Sequence, residues 1–195
     1  MVKAIIFNFG GVITPIEPFE GWTPTQEELS IIHGAVSEIA KLFGEELEGR
    51  EFSKTDFEKE FRMRTTGLKK ESADRIITSL CTPNQELLNL ISKLSTKYKI
   101  YGLVNAPFGW TETRRKIHGL DKYFGRVFVS YQVNIRKPDP RIFQYLLDNL
   151  NLKPEECLFI DDKEENVLVA ERLGMSGYLF DSAAGLNGYL SKFGI

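Results

Sequence analysis

The sequence predicts an α/β fold in which a parallel sheet carries helices on both faces and a helical block follows the first strand. Short β-branched apolar runs recur along the chain, and stripes with helical period separate most of them. The stretch from about 15 to 80 shows helical patterns without a convincing strand. Alternating strands and helices are typical of a parallel sheet. The length of 195 residues fits one domain with a small insertion.

The strand predictions rest on apolar runs bounded by turn residues. Val2–Phe7 ends shortly before Gly10-Gly11 and has the composition of a strand buried on both faces. Four further apolar runs are predicted strands: Ile100–Val104, Val127–Val129, Cys157–Ile160 and Tyr178–Phe180. The pattern is weakest for Val127–Val129.

Three helices are predicted between these strands. Thr82-Pro83 supplies an N-cap and a first-position proline for a helix over 86–94. Asp139-Pro140 opens a second helix in the same way, and its apolar stripe runs from Ile142 to Leu150. The third spans Lys163–Leu173 and ends at Gly174, a typical C-cap residue.

The long insertion predicts three more helices. One starts at Thr23-Pro24 and stops at Gly44, one starts at Ser53, and one covers Lys70–Cys81. We therefore predict a core formed by 1–14 and 82–195 and a helical cap formed by 15–81. An insertion after the first strand lies at the carboxyl edge of the sheet, where open α/β folds bind ligands. The alternative is that these helices pack on a sheet face.

Composition excludes several function classes. With 25 Lys and Arg against 27 Asp and Glu, the net charge of −2 offers no basic surface for nucleic acid. No apolar run approaches the roughly 18 residues of a membrane span. Two cysteines outside any C-x-x-C spacing suit a reducing compartment. We expect a cytoplasmic protein without nucleic-acid or membrane partners.

Polar residues follow several predicted strands and mark the candidate site. Asp161-Asp162 is the strongest signal, since adjacent carboxylates at a strand end favour a hard cation such as Mg²⁺. The alternative is that the pair caps the helix that follows. Lys137 precedes a proline-initiated helix and could meet a phosphate, although a lone surface lysine is the commoner case.

The candidate site residues lie in four short segments of the chain, which are in order FNFGGVIT, GLVN, RKPDPRIF and CLFIDDKEENVLVAERLGM. Their order resembles the haloacid dehalogenase-like hydrolase superfamily, in the phosphatase-type branch whose fourth motif ends in two acidic residues. The resemblance covers nearly all of the chain outside the insertion. It implies a Rossmann-like sheet with a small helical cap.

The resemblance also implies a chemistry. In such enzymes an Asp of the first motif attacks the phosphoryl group and forms an aspartyl-phosphate, which water hydrolyses. Mg²⁺ is held by that Asp, by the carbonyl two residues later and by the acidic pair. On this pattern Asn8 stands at the nucleophile position, and Gly10 supplies the carbonyl and occupies the acid/base position. Lys137 matches the phosphate-binding lysine, and Asp162 and Asp161 match the direct and water-mediated metal ligands.

The second motif adds the substrate-binding candidates Val104 and Asn105, with Arg136 beside Lys137. Two positions depart from the family pattern. Asn8 replaces the nucleophilic Asp, and Val104 stands where a Ser or Thr would bind phosphate. We therefore expect an impaired phosphatase that binds a small phosphorylated metabolite, with Mg²⁺ binding weakened or lost, and with a protein partner as an alternative role.

Three explanations of Asn8 remain open. It is a substitution made to trap a complex of an active phosphatase, a natural loss in a pseudoenzyme, or part of an unusual route that uses the cap. In the insertion, Arg62 and Arg64 either reach a ligand or belong to a solvated charged face. Phe108 and Trp110 either line the mouth of the site or pack the following helix.

Overall fold

The computed structural model describes residues 2–14, 22–45, 53–106, 108–192 and 194. Two short 3₁₀ turns accompany the strands and helices, at Leu120–Lys122 and Pro154–Glu156. The elements of the described residues are, in chain order, β1 (Ala4–Phe7), α1 (Gln26–Glu45), α2 (Lys54–Arg64), α3 (Lys70–Cys81), α4 (Gln85–Leu94), β2 (Lys99–Val104), α5 (Trp110–His118), β3 (Arg126–Val129), α6 (Ser130–Val133), α7 (Pro140–Leu150), β4 (Cys157–Asp161), α8 (Glu164–Arg172), β5 (Ser176–Leu179) and α9 (Ala183–Lys192).

The five predicted strands are confirmed, and they form one parallel sheet in the order β3-β2-β1-β4-β5. β1 lies at the centre, where Phe7 is aligned with Gly102 of β2 and with Ile160 of β4. Because all strands run in the same direction, the segments after β1, β2 and β4 emerge at one edge of the sheet. This is the α/β architecture that the alternation of strands and helices predicts.

The core covers both faces of the sheet. Helices α7 and α8 pack on one face, against a buried cluster that includes Ile6, Leu103, Phe128 and Phe159. Successive strand residues point to opposite faces, and neighbouring positions such as Ile5 are equally buried. The neighbouring strands β1 and β4 are therefore buried on both sides, as expected of a parallel sheet between two helical layers.

The structure divides into two compact units. The first comprises Met1–Ile13, Asn84–Asn105 and Lys122–Ile195 and contains the whole sheet. The second comprises Thr14–Pro83 and Ala106–Asp121. It holds α1, α2 and α3 and also α5, a segment that the sequence-based division assigns to the core. Helix α5 packs on α1 and α3. The role of the insertion as a cap stays a prediction.

The capping residues explain where the helices of the core unit begin. Asp139 caps α7 as predicted, and its carboxylate accepts the Arg141 backbone N–H at 2.9 Å. The predicted cap of α4 is wrong, because Asn84, not Thr82, accepts the Leu87 N–H at 3.1 Å. Asn is a strong N-cap residue, and the proline before it belongs to the connection.

Capping residues also explain where two helices of the second unit begin. Ser53 and Asp56 form the capping box that starts α2, as predicted. Helix α1 starts at Gln26, later than Thr23-Pro24 predicts, because Thr25 and Glu28 exchange side-chain hydrogen bonds with each other's backbone N–H. It also continues to Glu45, past the predicted stop at Gly44.

Candidate functional site

Polar residues from four segments meet at the carboxyl edge of the sheet. Asn8 follows β1, Asn105 follows β2, Lys137 lies between α6 and α7, and Asp161 ends β4 directly before Asp162. All of them belong to the core unit. The structure therefore assembles the residues that the sequence motifs single out, although 154 positions separate Asn8 from Asp162.

Lys137 is the centre of this cluster. Its Nζ donates to the Asp161 carboxylate at 2.6 Å and to the Leu103 carbonyl at 2.7 Å. It also donates to Asn8 Oδ1 at 3.1 Å. An ammonium group has three protons, so all of them are engaged. The side chain is 1% exposed, which excludes the alternative of a lone surface lysine.

Burial acts on the charge of Lys137. Desolvation lowers the pKa of the Lys137 ammonium, while the carboxylate of Asp161 acts in the opposite direction. The Lys137 Nζ atom also lies over the ring of Phe159, 5.2 Å from the ring centroid. The three acceptors around Nζ require a protonated amine, so the geometry is that of a buried ion pair.

Asp161 is fully buried and its oxygens are shared between two tasks. Oδ2 pairs with Lys137. Oδ1 accepts the Lys163 backbone N–H and the Asn166 side-chain amide, both at 3.0 Å. The alternative in which the acidic pair caps the following helix is not what the structure shows, because the N-cap residue of α8 is Lys163, whose side chain makes no capping hydrogen bond. Asp161 accepts the N–H of Lys163, one position before the helix begins.

Asn8 joins Lys137 to Asp162 through its amide. The Nδ2 group donates to the Gly10 carbonyl at 2.7 Å and to Asp162 Oδ1 at 2.9 Å, while Oδ1 faces Lys137. Lysine can only donate, so the oxygen of the amide must lie on that side. The NH₂ group must then point between Gly10 and Asp162.

Gly11 makes this arrangement possible. Its φ of +76° lies in the left-handed region, and a Cβ at this position would overlap the carboxylate of Asp162. The chain thus needs a residue without a side chain at the point where the first motif turns beneath Asp162.

Asn105 positions the backbone of Lys137. Its Oδ1 accepts the Lys137 backbone N–H at 2.9 Å, and its Nδ2 donates to the Lys137 carbonyl at 2.8 Å. Val104 is buried at the end of β2, and Arg136 is exposed. Of the three predicted substrate-binding residues, Asn105 therefore makes side-chain bonds to the lysine segment, and Val104 brings no polar atom to the cluster.

The family resemblance raises the question of whether these residues fit Mg²⁺. The candidate oxygens are those of Asn8, Gly10 and Asp162. Two of them already accept from Asn8 Nδ2, and the third accepts from Lys137. Turning the amide would place NH₂ against the Lys137 ammonium. Mg²⁺ requires oxygen ligands at about 2.0–2.1 Å. Here the NH₂ group of Asn8 is directed at the Gly10 and Asp162 oxygens. This donor set therefore does not fit the ion.

No group of three or more His, Cys, Asp and Glu side chains with metal-binding geometry occurs among the described residues. Both cysteines are unpaired and buried, and burial raises the pKa of Cys81 and of Cys157 to about 12, so neither is a reactive thiolate. None of the described helices combines the length and apolar character that a membrane crossing needs.

The candidate residues of the second unit have structural partners. Arg62 pairs with Glu58 and Asp74, and Arg64 pairs with Glu60 and Glu38, as expected of a charged helix surface. Trp110 is 3% exposed in the first turn of α5, where its ring meets His33 edge-to-face. Both observations favour the packing alternatives over ligand binding.

Sequence reasoning assigned no role to Leu103 or Asn166, which complete the cluster. The first contributes a backbone carbonyl, and a carbonyl leaves no signature in the sequence. The second could have been found from its spacing, because Asn166 stands in the first turn of α8, directly above the strand end that carries Asp161.

Comparisons with known proteins point to one family. A family model described as haloacid dehalogenase-like hydrolase matches residues 2–174. The chain is 33% identical over 111 residues to a flavin mononucleotide hydrolase of Arabidopsis thaliana, an alignment that covers 57% of this chain and 44% of that protein. It is 27% identical over 203 residues to a D-ribitol-5-phosphate phosphatase of Bacteroides thetaiotaomicron, with 94% of both chains covered. A sesquiterpene phosphatase of Aspergillus oryzae is 26% identical over 186 residues, 93% of this chain and 92% of that one.

Solved structures show the same fold. A HAD-like family hydrolase from Porphyromonas gingivalis superposes with a TM-score of 0.59 at 25% identity, covering 99% of this chain and 98% of that one. A HAD family enzyme from Bacteroides thetaiotaomicron, in complex with magnesium and inorganic phosphate, superposes with a TM-score of 0.56 at 22% identity. That alignment covers 93% of this chain and 96% of the other.

Proposed function

Because the chain belongs to the haloacid dehalogenase-like hydrolase family, we propose that it is a phosphatase-type member that has lost phosphoryl transfer. In this proposal it holds a small phosphorylated metabolite, in a ligand-binding or regulatory role, without hydrolysing it. The single observation that carries the proposal is the amide of Asn8, which is held between Lys137 and Asp162.

An amide at position 8 cannot replace a carboxylate nucleophile. Its oxygen carries no formal charge, and here it accepts a hydrogen bond from the Lys137 ammonium group. Nucleophilic catalysis needs a group activated by charge or by a base. Loss of a covalent nucleophile costs about 10⁴ to 10⁶ in rate, equivalent to about 5–8 kcal/mol of transition-state stabilisation. Phe7 and Phe9 flank Asn8 in the sequence, so neither chain neighbour is a carboxylate.

Two further features add to this loss. Val104 has no hydroxyl to donate to a phosphoryl oxygen, and its side chain is buried. Lys137 has all three protons engaged by protein acceptors. A bound phosphate would have to compete with one of them, which predicts weak binding of a phosphate group by itself. The organic part of a ligand would then supply most of the affinity.

The relatives support phosphorylated compounds as the ligand class. Their names describe hydrolysis of a flavin mononucleotide, a sesquiterpene phosphate and a sugar-alcohol phosphate. The phosphate is the group that these names share, and the organic parts differ. A cytoplasmic location is part of the proposal, and a protein partner is the alternative to a metabolite.

The second candidate function is an active phosphatase in which Asn8 replaces a catalytic aspartate. The geometry around position 8 favours it. Lys137 and Asp162 both lie within hydrogen-bond distance of the residue 8 side chain. A carboxylate at this position would meet the same lysine, so a single substitution would restore the position of the nucleophile.

Turnover of p-nitrophenyl phosphate in buffer containing Mg²⁺ separates these functions. The variants are the unmodified chain, Asn8→Asp, and Asn8→Asp combined with Val104→Ser. We expect background rates for the unmodified chain and for Asn8→Asp, with turnover only in the double variant. Activity in Asn8→Asp alone supports the second candidate. Hydrolysis by the unmodified chain, abolished by Lys137→Met, would refute the proposed function.

Ligand binding is tested separately on the unmodified chain. A series of phosphate monoesters, with the matching alcohols as controls, is titrated while the melting temperature is followed. We expect a rise with at least one monoester and none with its alcohol. The same rise with both members of every pair would contradict recognition of the phosphate group.

A further inference from the structure

We propose that the side-chain amide of Asn8 takes the place of a divalent cation, so that this site is structurally complete without metal. The inference deepens the proposed function, because it describes the state in which the non-hydrolysing site exists. It rests on the disagreement between the donor set of this chain and the Mg²⁺ that the family resemblance implies.

The Asn8 NH₂ group supplies what a cation would supply. Its two protons are directed at the Gly10 carbonyl and at Asp162 Oδ1, so one amide group donates to both oxygens. Both distances are those of full hydrogen bonds, at 2.7 and 2.9 Å. The two oxygens that a metal would share are therefore already bridged by a neutral donor.

The orientation of the amide follows from its surroundings. Lys137 faces Asn8 with a donor, and Gly10 and Asp162 face it with acceptors. Only one of the two amide orientations satisfies all three partners. The buried Lys137–Asp161 pair keeps the ammonium in place, since it is 2.6 Å long and almost fully enclosed. Entry of a cation would require the amide to turn and this arrangement to break.

The charge of the cluster agrees with this assignment. Lys137 contributes one positive charge, and Asp161 and Asp162 contribute two negative charges, so the cluster carries −1 with asparagine at position 8. An aspartate there would add a third carboxylate and change the sum to −2. Carboxylates that lie next to each other repel unless a positive group lies between them. Asn8→Asp is therefore expected to create a requirement for a cation that the unmodified chain does not have.

The amide bridge also has a structural consequence. It ties the end of β1 to the segment after β4, and through Lys137 to the loop before α7. The proposal predicts that removal of divalent cations leaves the stability of this chain unchanged. A chelator would then act on the aspartate variant alone.

The test follows melting temperature and calorimetric binding of Mg²⁺, with EDTA as the metal-free reference and ionic strength matched by NaCl. We expect no Mg²⁺-specific shift for the unmodified chain. Asn8→Asp should melt several degrees lower in EDTA, and Mg²⁺ should restore most of that loss. Asn166→Asp is the matched control, because it adds a carboxylate to the same cluster on the other side of Asp161. It should be destabilised without specific rescue by Mg²⁺.

A Mg²⁺-specific rise of equal size in the unmodified chain and in Asn8→Asp would overturn the proposal, as would the absence of rescue in a folded Asn8→Asp protein. If Asn8→Asp fails to fold even with Mg²⁺, calorimetry on the unmodified chain decides. If the unmodified chain binds Mg²⁺ and Asp162→Asn abolishes that binding, a cation occupies the site and the inference is refuted. If the unmodified chain does not bind Mg²⁺, the inference is supported. These readouts do not involve turnover, so they fail or succeed independently of the proposed function.

Discussion

Replacement of Lys137 by methionine probes the ion pair on which the site is built. Methionine keeps an unbranched side chain, and it removes the ammonium group while replacing one methylene by sulfur. The Lys137–Asp161 pair is 2.6 Å long, with side chains 1% and 0% exposed. Solvent cannot compensate the carboxylate that remains.

The expected cost follows from what the substitution leaves behind. Asp161 keeps its bonds to the Lys163 backbone and to Asn166 but loses its counter-charge. Breaking a buried pair by removing one partner destabilises a protein by about 3–5 kcal/mol. The Leu103 carbonyl loses a donor as well. Because domains are stable by only about 5–15 kcal/mol, this loss is a large share of the total.

The assay must report on the unit that carries the substitution. Trp22 and Trp110 both belong to the second unit, so tryptophan fluorescence does not follow the sheet directly. Urea unfolding should therefore be followed by far-UV circular dichroism together with hydrogen exchange of the strand amides. Lys97→Met, at an exposed position of the core unit, is the control for loss of a positive charge.

A double-mutant cycle with Asp161→Asn completes the test. In the combined variant both charges of the Lys137–Asp161 pair are removed, so neither is left unpaired. Its loss of unfolding free energy should therefore be smaller than the sum of the losses of the two single variants. A loss below about 1 kcal/mol for Lys137→Met, or additive losses in the cycle, would contradict a buried ion pair at this place.

Three other substitutions test further features of the two units. Gly11→Ala should cost about 1–3 kcal/mol in urea unfolding, since its φ of +76° is unfavourable for alanine and the added methyl group meets Asp162; an unchanged midpoint would contradict this geometry. Asn105→Ala should cost about 1–3 kcal/mol, because both of its hydrogen bonds to the Lys137 backbone are lost; a loss no larger than that of an exposed Asn→Ala change would show that it does not position Lys137. Burial lowers the pKa of His118 below its usual 6.5, so the unfolded chain binds more protons as the pH falls below 6.5. The melting temperature should therefore decrease from pH 7.5 to 5.5, and less so in His118→Gln; equal decreases in both proteins would refute this assignment.

Much of the fold could be predicted from the sequence because its signals are local. The run Val2–Phe7 is apolar at consecutive positions, and this pattern is typical of a central parallel strand. The structure gives β1 as Ala4–Phe7, buried throughout. Helix α7 follows from Asp139-Pro140 for the same reason, since capping depends on neighbours in the chain.

Other local signals led to wrong predictions, because residues close together in the chain can serve the same role. Thr82 and Asn84 are both acceptable N-caps for α4, and the chain uses Asn84. Helix α5 follows β2 as a crossover helix would, yet it packs in the second unit. That choice depends on contacts with α1 and α3, which are distant in sequence.

At the site, the sequence by itself determined which residue types reach the carboxyl edge of the sheet, because that depends on strand ends. It also determined that position 8 has no carboxylate. Only the tertiary structure decided what the amide of Asn8 does there. Its partners Lys137 and Asp162 lie 129 and 154 positions away, and a hydrogen bond depends on the placement of both atoms. Three-dimensional packing thus places the amide that stands at the nucleophile position between the Gly10 carbonyl and Asp162 Oδ1, and the amide bridges these two oxygens.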